Sequence, residues 1–172
     1  MSDDKKFRDW DDRYAGSDYL FGTAPNDFLK SVADRLAPNS QILCLADGEG
    51  RNGAYLATLG HKVTAIDQSR VGLEKAKKLA EQKQVSIETI EADLAEYDLG
   101  VESWYCIVSI FFHIPSAVRA HIYPRIITAL KPGGILILES YTPEQLNHGT
   151  GGPPIADLML TKDELAQSTS LK

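Results

Sequence analysis

Residues 41–67 read QILCLADGEGRNGAYLATLGHKVTAID, and this stretch decides the fold. An apolar run (Ile42, Leu43, Cys44, Leu45) meets a turn that carries Gly48 and Gly50. A helix-forming stretch follows, and a second apolar run stops at Asp67. The order is strand, glycine turn, helix, strand, acid. This is how α/β proteins hold an adenosine-bearing cofactor. Glycine lets the backbone pass close to a ligand, and a helix N-terminus offers free N–H groups. The acid accepts hydrogen bonds from ribose hydroxyls. Gly48, Gly50 and Gly53 fit the spaced-glycine fingerprint, and Asp67 lies 19 residues past Gly48.

Working outward, Phe7, Trp10 and Tyr14 recur at helical spacing and predict an amphipathic helix over 4–14. Pro25 is expected to open a second helix, with Phe28, Leu29, Val32 and Leu36 as its apolar stripe and Pro38 as its stop. Beyond Ser40, strands and helices alternate. Strands are predicted at 41–46, 62–66, 86–91, 104–110 and 134–139. Helices are predicted at 51–59, 69–83 (capped by Ser69) and 115–130, the last kinked at Pro124. The apolar strand centres suit a parallel sheet covered on both faces. A Gly/Pro loop over 148–154 and a short helix from Lys162, capped by Thr161, complete the chain. The expectation is an α/β fold in one domain over 1–172. It divides into N-terminal helices (1–38), a cofactor-binding core (40–142) and a C-terminal loop and helix (143–172).

The chain has 172 residues, 43% of them hydrophobic, which is enough for an ordinary core. Its net charge of −6 argues against nucleic acid, which calls for a basic face. The N-terminus is polar and acidic, and no apolar run reaches membrane-spanning length. Cys44 and Cys106 each lie in an apolar run and read as buried free thiols. These points lead to the expectation of a cytoplasmic protein with no membrane or nucleic-acid partner and no metal site.

Three further features bear on the cofactor. Leu130-Lys131-Pro132-Gly133-Gly134 is a tight turn feeding an apolar strand. Asp93, followed by Leu94, stands just past the third strand, where an acid can accept from an adenine amino group while the apolar neighbour covers the ring. Ser109-Ile110-Phe111-Phe112-His113 forms the mouth of the fourth strand. With these motifs in this order, the chain over 40–142 resembles the class I S-adenosylmethionine-dependent methyltransferases. Gly50-Arg51-Asn52, with Trp10, Tyr14 and Phe21 in the N-terminal stretch, is most similar to the small tellurite-resistance and thiopurine methyltransferase type.

That resemblance implies a Rossmann-like doubly wound sheet of strand order 3-2-1-4-5, with S-adenosylmethionine as cofactor. It implies that Ala46, Asp47, Gly48 and Gly50, with Arg51, cradle the methionine part. By the same resemblance Asp67 takes the ribose hydroxyls with Gln68 beside it, Asp93 and Leu94 hold the adenine, and Ser109 and Ile110 form the pocket floor. His113, at the substrate end of the fourth strand, is the candidate general base. The alternative is a polar residue that merely leads into the next helix. A rim of Asp47, Glu49, Asp67 and Asp93 suits a cationic sulfonium better than a pyrophosphate. The acceptor is expected to be a small molecule, with a soft sulfur, selenium or tellurium nucleophile the candidate that needs no strong base. An NAD(P)-binding oxidoreductase and a non-catalytic S-adenosylmethionine-binding protein stand as alternatives.

The chain departs from the family pattern in three places. The family's acid-x-Gly-x-Gly-x-Gly reads here as Cys44, Ala46, Gly48 and Gly50, so the acid is absent and the first glycine is alanine. Asp47 is the candidate for a displaced carboxylate. The family's sixth and seventh strands have no counterpart in 143–172, so either the sheet stops at the fifth strand or the sequence is a piece of a longer protein. The fifth strand, with Ile135 to Leu138 apolar and unguarded by charge or proline, would then be an edge through which the chain self-associates.

Overall fold

The computed structural model describes residues 9–170. Phe7 and the start of the expected first helix lie outside that range. Five strands form one parallel sheet: β1 (Gln41–Leu45), β2 (Lys62–Asp67), β3 (Glu88–Glu91), β4 (Trp104–Ile110) and β5 (Leu130–Glu139). Their order is β3-β2-β1-β4-β5, the expected one. β1 runs beside both β2 and β4, so the winding reverses there and a crevice opens at the strands' C-terminal ends.

Alternation along β1 sorts the core into two layers, because successive strand side chains point to opposite faces. Ile42 and Cys44 pack with Leu29, Leu56, Cys106 and Val108. Leu43 and Leu45 pack with Ile107, Ile122 and Ile126. Both cysteines are buried and free, and burial pushes the Cys106 thiol up to about 12.

The helices are α1 (Trp10–Tyr14), α2 (Asp27–Val32), α3 (Arg51–Thr58), α4 (Arg70–Gln82), α5 (Ser116–Ala129) and α6 (Lys162–Thr169). Ser69 caps α4 and Thr161 caps α6, as their sequence positions predict. Pro25 does not open α2. Asn26 caps it instead, its side chain accepting from the Leu29 N–H at 2.9 Å. β5 starts four residues earlier than expected, since Leu130 already pairs with Trp104 ahead of the Pro-Gly-Gly turn. Among the described residues β5 is an edge of the sheet, as expected. The segment after it packs α6 against α5. No helix among the described residues is long and apolar enough to cross a membrane.

Candidate active site

The turn after β1 is a knot of backbone and carboxylate. The Asp47 N–H donates to the Ile66 carbonyl at 3.3 Å, which ties the turn to β2. The Gly50 N–H donates back to the Asp47 carbonyl at 3.0 Å. Gly48 (φ 55°) and Gly50 (φ 84°) are left-handed, a region open to glycine. They also face protein: a Cβ on Gly48 would meet the Tyr14 hydroxyl at 2.5 Å, and one on Gly50 would meet Ala76 of α4 at 2.5 Å. Ala46 is left-handed too (φ 50°), so the residue that replaces the family's glycine carries a strained backbone.

A cavity of about 430 Å³ opens beside this turn. Of the residues the sequence reading singled out, Ala46, Asp47, Arg51, Asp67, Gln68, Asp93, Leu94, Ile110 and His113 line it. Gly48, Gly50 and Ser109 contribute no wall. The two glycines shape the turn from behind, and Ser109 is buried inside β4, paired with Leu45 and Leu138.

The carboxylates differ in how the fold holds them. Asp67 is buried and accepts from the Gly48 N–H and the Ser69 N–H, both at 2.8 Å. Burial holds its carboxyl above the usual carboxylate range, and those N–H bonds oppose the rise. Asp47 accepts from the Gly53 N–H at 3.1 Å, and burial pushes it up to about 7. Gly53 must lack a Cβ for this, since one would sit 2.5 Å from the Asp47 carboxylate. Asp93 is exposed at the rim, where its side chain accepts from the Ala95 N–H at 2.9 Å, and Leu94 beside it is buried. Glu49 is buried and paired with Lys75, while its other oxygen accepts from the Leu20 N–H at 2.8 Å.

Lys75 also fastens the N-terminal segment over the cavity. Its ammonium donates to the carbonyls of Tyr14 (3.2 Å), Gly16 (3.0 Å) and Asp18 (2.7 Å). Trp10, Tyr14 and Phe21 therefore form one wall. At the far end stand three rings. Phe111 stacks on Tyr141 (4.8 Å between centroids), and His113 stacks on Tyr141 (5.6 Å). Phe111 has φ 53°, an unusual strain for a bulky residue. His113 Nδ1 lies 3.3 Å from the Leu158 carbonyl. A carbonyl only accepts, so Nδ1 carries the proton and Nε2 keeps its lone pair. Burial, with Arg119 nearby, lowers the His113 pKa below its ordinary value, so the ring is neutral at pH 7.

Several wall residues were given no role in the sequence reading. Phe111 and Phe112 were placed at the mouth of the fourth strand but not in the site. Asn52 follows Arg51 in the same motif; it is 7% exposed, and its side-chain oxygen accepts from the Asn26 N–H at 2.9 Å. Gly151, Gly152 and Pro153 reach the cavity from the C-terminal loop, a placement that nothing in the local sequence signals.

Residues 42–134 match the protein family described as "Methyltransferase domain". The chain is similar to an uncharacterized methyltransferase of Bacillus subtilis, YodH, at 33% identity over 136 residues, covering 73% of this chain and 56% of that protein. The chain spans about half the length of the curated relatives it matches. In fold it is similar to TehB from Haemophilus influenzae (TM-score 0.71, 21% identity, 92% of this chain and 54% of that one). It is also similar to a TehB-like SAM-dependent methyltransferase from Corynebacterium glutamicum (TM-score 0.64, 16% identity, 96% of this chain and 79% of that one).

Proposed function

The chain belongs to the class I S-adenosylmethionine-dependent methyltransferases, with S-adenosylmethionine as cofactor, and from that premise we propose that it methylates a small molecule held at the aromatic end of the cavity. The carrying observation is that one cavity joins a carboxylate-lined end to a ring-lined end bearing a neutral histidine.

The residues fit the cofactor. Asp47 would hold the ammonium of the methionine part, Asp67 the ribose hydroxyls, and Asp93 with Leu94 the adenine. Asp67 keeps a spare lone pair for this, since its two oxygens offer about four acceptor sites and the backbone N–H groups of Gly48, Ser69 and Gln68 take three. Arg51 and Asn52, at the start of α3, suit the methionine carboxylate. When bound, the cofactor supplies a methyl carbon made electrophilic by its sulfonium.

The protein's own work is to position and to dry. Trp10, Tyr14 and Phe21 on one side and the 151–153 loop on the other close the cavity in, which favours a small acceptor over a polymer. Phe111 and Tyr141 offer ring faces to an acceptor, and His113 Nε2 takes its proton. A neutral imidazole is a weak base that suits an acceptor proton as acidic as a thiol's, not an alcohol's. That supports a soft nucleophile as acceptor. A second reading, cofactor binding without turnover, draws on Cys44 and the strained Ala46 in the first motif.

The test pairs calorimetry of S-adenosylhomocysteine with methyl transfer to a panel of thiols, selenols and phenols. Asp93→Ala is expected to weaken S-adenosylhomocysteine about tenfold, the loss of one charge-assisted hydrogen bond. His113→Gln is expected to leave that affinity unchanged and to slow transfer. Equal loss of affinity in both variants would put His113 in the cofactor's half, and no transfer to any acceptor would favour the second reading.

A further inference from the structure

His113 does not hold its own place. Its hydrogen-bond partner among the described residues, the Leu158 carbonyl, belongs to a segment 45 residues away in sequence. Both sides of that contact end on one guanidinium. Arg119 Nη1 donates to the Ile114 carbonyl, one residue past His113, and to the Asp157 carbonyl, one residue before Leu158, each at 2.6 Å. The remaining side of the fork faces α6: Nε reaches the Glu164 carboxylate at 2.7 Å and Nη2 reaches it at 3.1 Å. Arg119 is 3% exposed although it sits in the first turn of α5. A buried arginine is retained where its charge is paired and its planar fork is satisfied. Here the donors are spent on two carbonyls that flank a histidine contact.

We infer that Arg119 is the positioning residue of the acceptor end: it clips the 113–114 and 157–158 segments together so that His113 keeps its proton on Nδ1 and presents Nε2 to the acceptor. The inference rests on the reading of His113 as the base, and it adds the residue that sets the base's tautomer. The knot also holds the rings. The Leu160 N–H donates to the Tyr141 carbonyl at 3.0 Å, so the ring stacked on His113 hangs from the same tail segment. Leu158 and Glu164 are offered from the tail and α6, and Tyr141 from the end of β5. Arg119 comes from α5 and is the cation whose charge bears on His113. The Asp157 carboxylate is turned away, bonded to Ser116 at the start of α5.

The test reads the imidazole itself, without an acceptor. Long-range proton–nitrogen correlation spectra separate a protonated from a bare ring nitrogen. The chain has four histidines, and the His113→Gln spectrum identifies the His113 signals. The wild-type protein is expected to show His113 with Nδ1 protonated and Nε2 bare, titrating below about 6.5. In Arg119→Met the two nitrogens are expected to draw together in shift as both tautomers populate, and the titration to move up. Arg119→Lys, which keeps a charge and donors near the carbonyls, is expected to retain most of the bias. His61, buried at the opposite end of the sheet with the Ser40 N–H on its ring, is the internal control and should not change.

A wild-type His113 without tautomer bias, or an Arg119→Met variant that keeps the wild-type bias, would overturn the inference; the latter would reduce Arg119 to packing. If Arg119→Met does not fold, Glu164→Gln carries the test: it loosens the fork from its half-exposed side and should shift His113 in the same direction by less, and no shift would be fatal. Failure of the base reading looks different. There, His113→Gln would transfer methyl at the wild-type rate while the spectra still showed Arg119 setting the tautomer.

Discussion

At the cofactor end of the cavity the geometry is fixed by backbone within residues 41–67, whereas at the acceptor end Phe111, His113, Tyr141 and Leu158 are brought together from three separate segments. The first end is made by tight turns, left-handed residues and carboxylates that accept main-chain N–H groups. The second is made by stacked rings and one buried guanidinium. The difference teaches where each end is fragile. A turn pinned against neighbouring helices tolerates no added atom. A ring cluster hung on a tail tolerates added atoms but fails when its clip is cut.

Glycine substitution sharpens this most. In Gly50→Ala the new methyl would meet Ala76 at 2.5 Å while the backbone sits at φ 84°. Overpacking and left-handed strain together predict a loss of about 3 kcal/mol, or roughly 6–12 °C in melting temperature for a chain of this size. Gly152→Ala has a similar φ (88°), but its new methyl would meet only side chains in an exposed loop, the Tyr141 ring at 3.0 Å and Gln145 Cγ at 3.3 Å. It is expected to cost about 1 kcal/mol. Parallel thermal melts decide, and equal losses would erase the contrast between the two ends.

Asp67→Ala comes next. It removes the ribose acceptor and strands two buried N–H groups, on Gly48 and Ser69. S-adenosylhomocysteine affinity should fall roughly ten- to a hundredfold, and the protein should also melt lower, since an unsatisfied buried donor costs about 1–3 kcal/mol. A strand-end position alone would have predicted an untouched fold. Calorimetry beside a melt tells the two effects apart, and an unchanged melting temperature would mean that the turn holds without its carboxylate.

Asp47 gives the cofactor end a pH signature of its own. Its folded pKa of about 7 lies above its unfolded value of about 3.8, so the folded state binds more protons between those limits. Its contribution to stability is therefore fully present below pH 4 and is lost as pH rises towards 7. Cofactor binding runs the other way. An ammonium wants the ionised carboxylate, so S-adenosylhomocysteine affinity should fall, by up to about tenfold per pH unit, below pH 7. Asp47→Asn should flatten that slope. A wild-type slope that survives in the variant would clear Asp47 of the role.

How much was legible follows the same divide. Asp67, Asp93 and Ile110 line the cavity because each stands at a strand's C-terminal end, and strand ends can be read from apolar runs and their punctuation. The parallel sheet followed from the alternation of such runs, and its order from the family resemblance alone. Gly48 and Gly50 were assigned to the cofactor because spacing names the turn; which side of the turn faces Tyr14 and Ala76 depends on helices that spacing does not see. Of the expected pocket floor, Ile110 lines the cavity, while Ser109, one residue earlier in β4, is buried and points to the opposite face of the sheet. Tyr141 and the 151–153 loop were not assigned to the site because the stacking of Tyr141 on Phe111 and His113, and the loop's approach to the cavity, are tertiary contacts that no local period encodes.

Ala46 offers the smallest effect and the finest test. It is the one place where the cofactor end breaks its own rule, an alanine held at φ 50° in a turn whose other left-handed positions are glycine. The left-handed region costs a non-glycine residue about 1–2 kcal/mol, while glycine's extra freedom in the unfolded chain returns about 0.5–1 kcal/mol of that. Ala46→Gly should therefore stabilise by roughly 0.5–1 kcal/mol, a rise of about 1–4 °C. Its methyl also lines the cavity where the family pattern has none, so removing it should leave S-adenosylhomocysteine affinity equal or tighter. Melts with and without S-adenosylhomocysteine measure both at once. A fall in stability would mean that the methyl, which packs against the Leu43–Leu45 layer, contributes more by burial than the turn loses in strain.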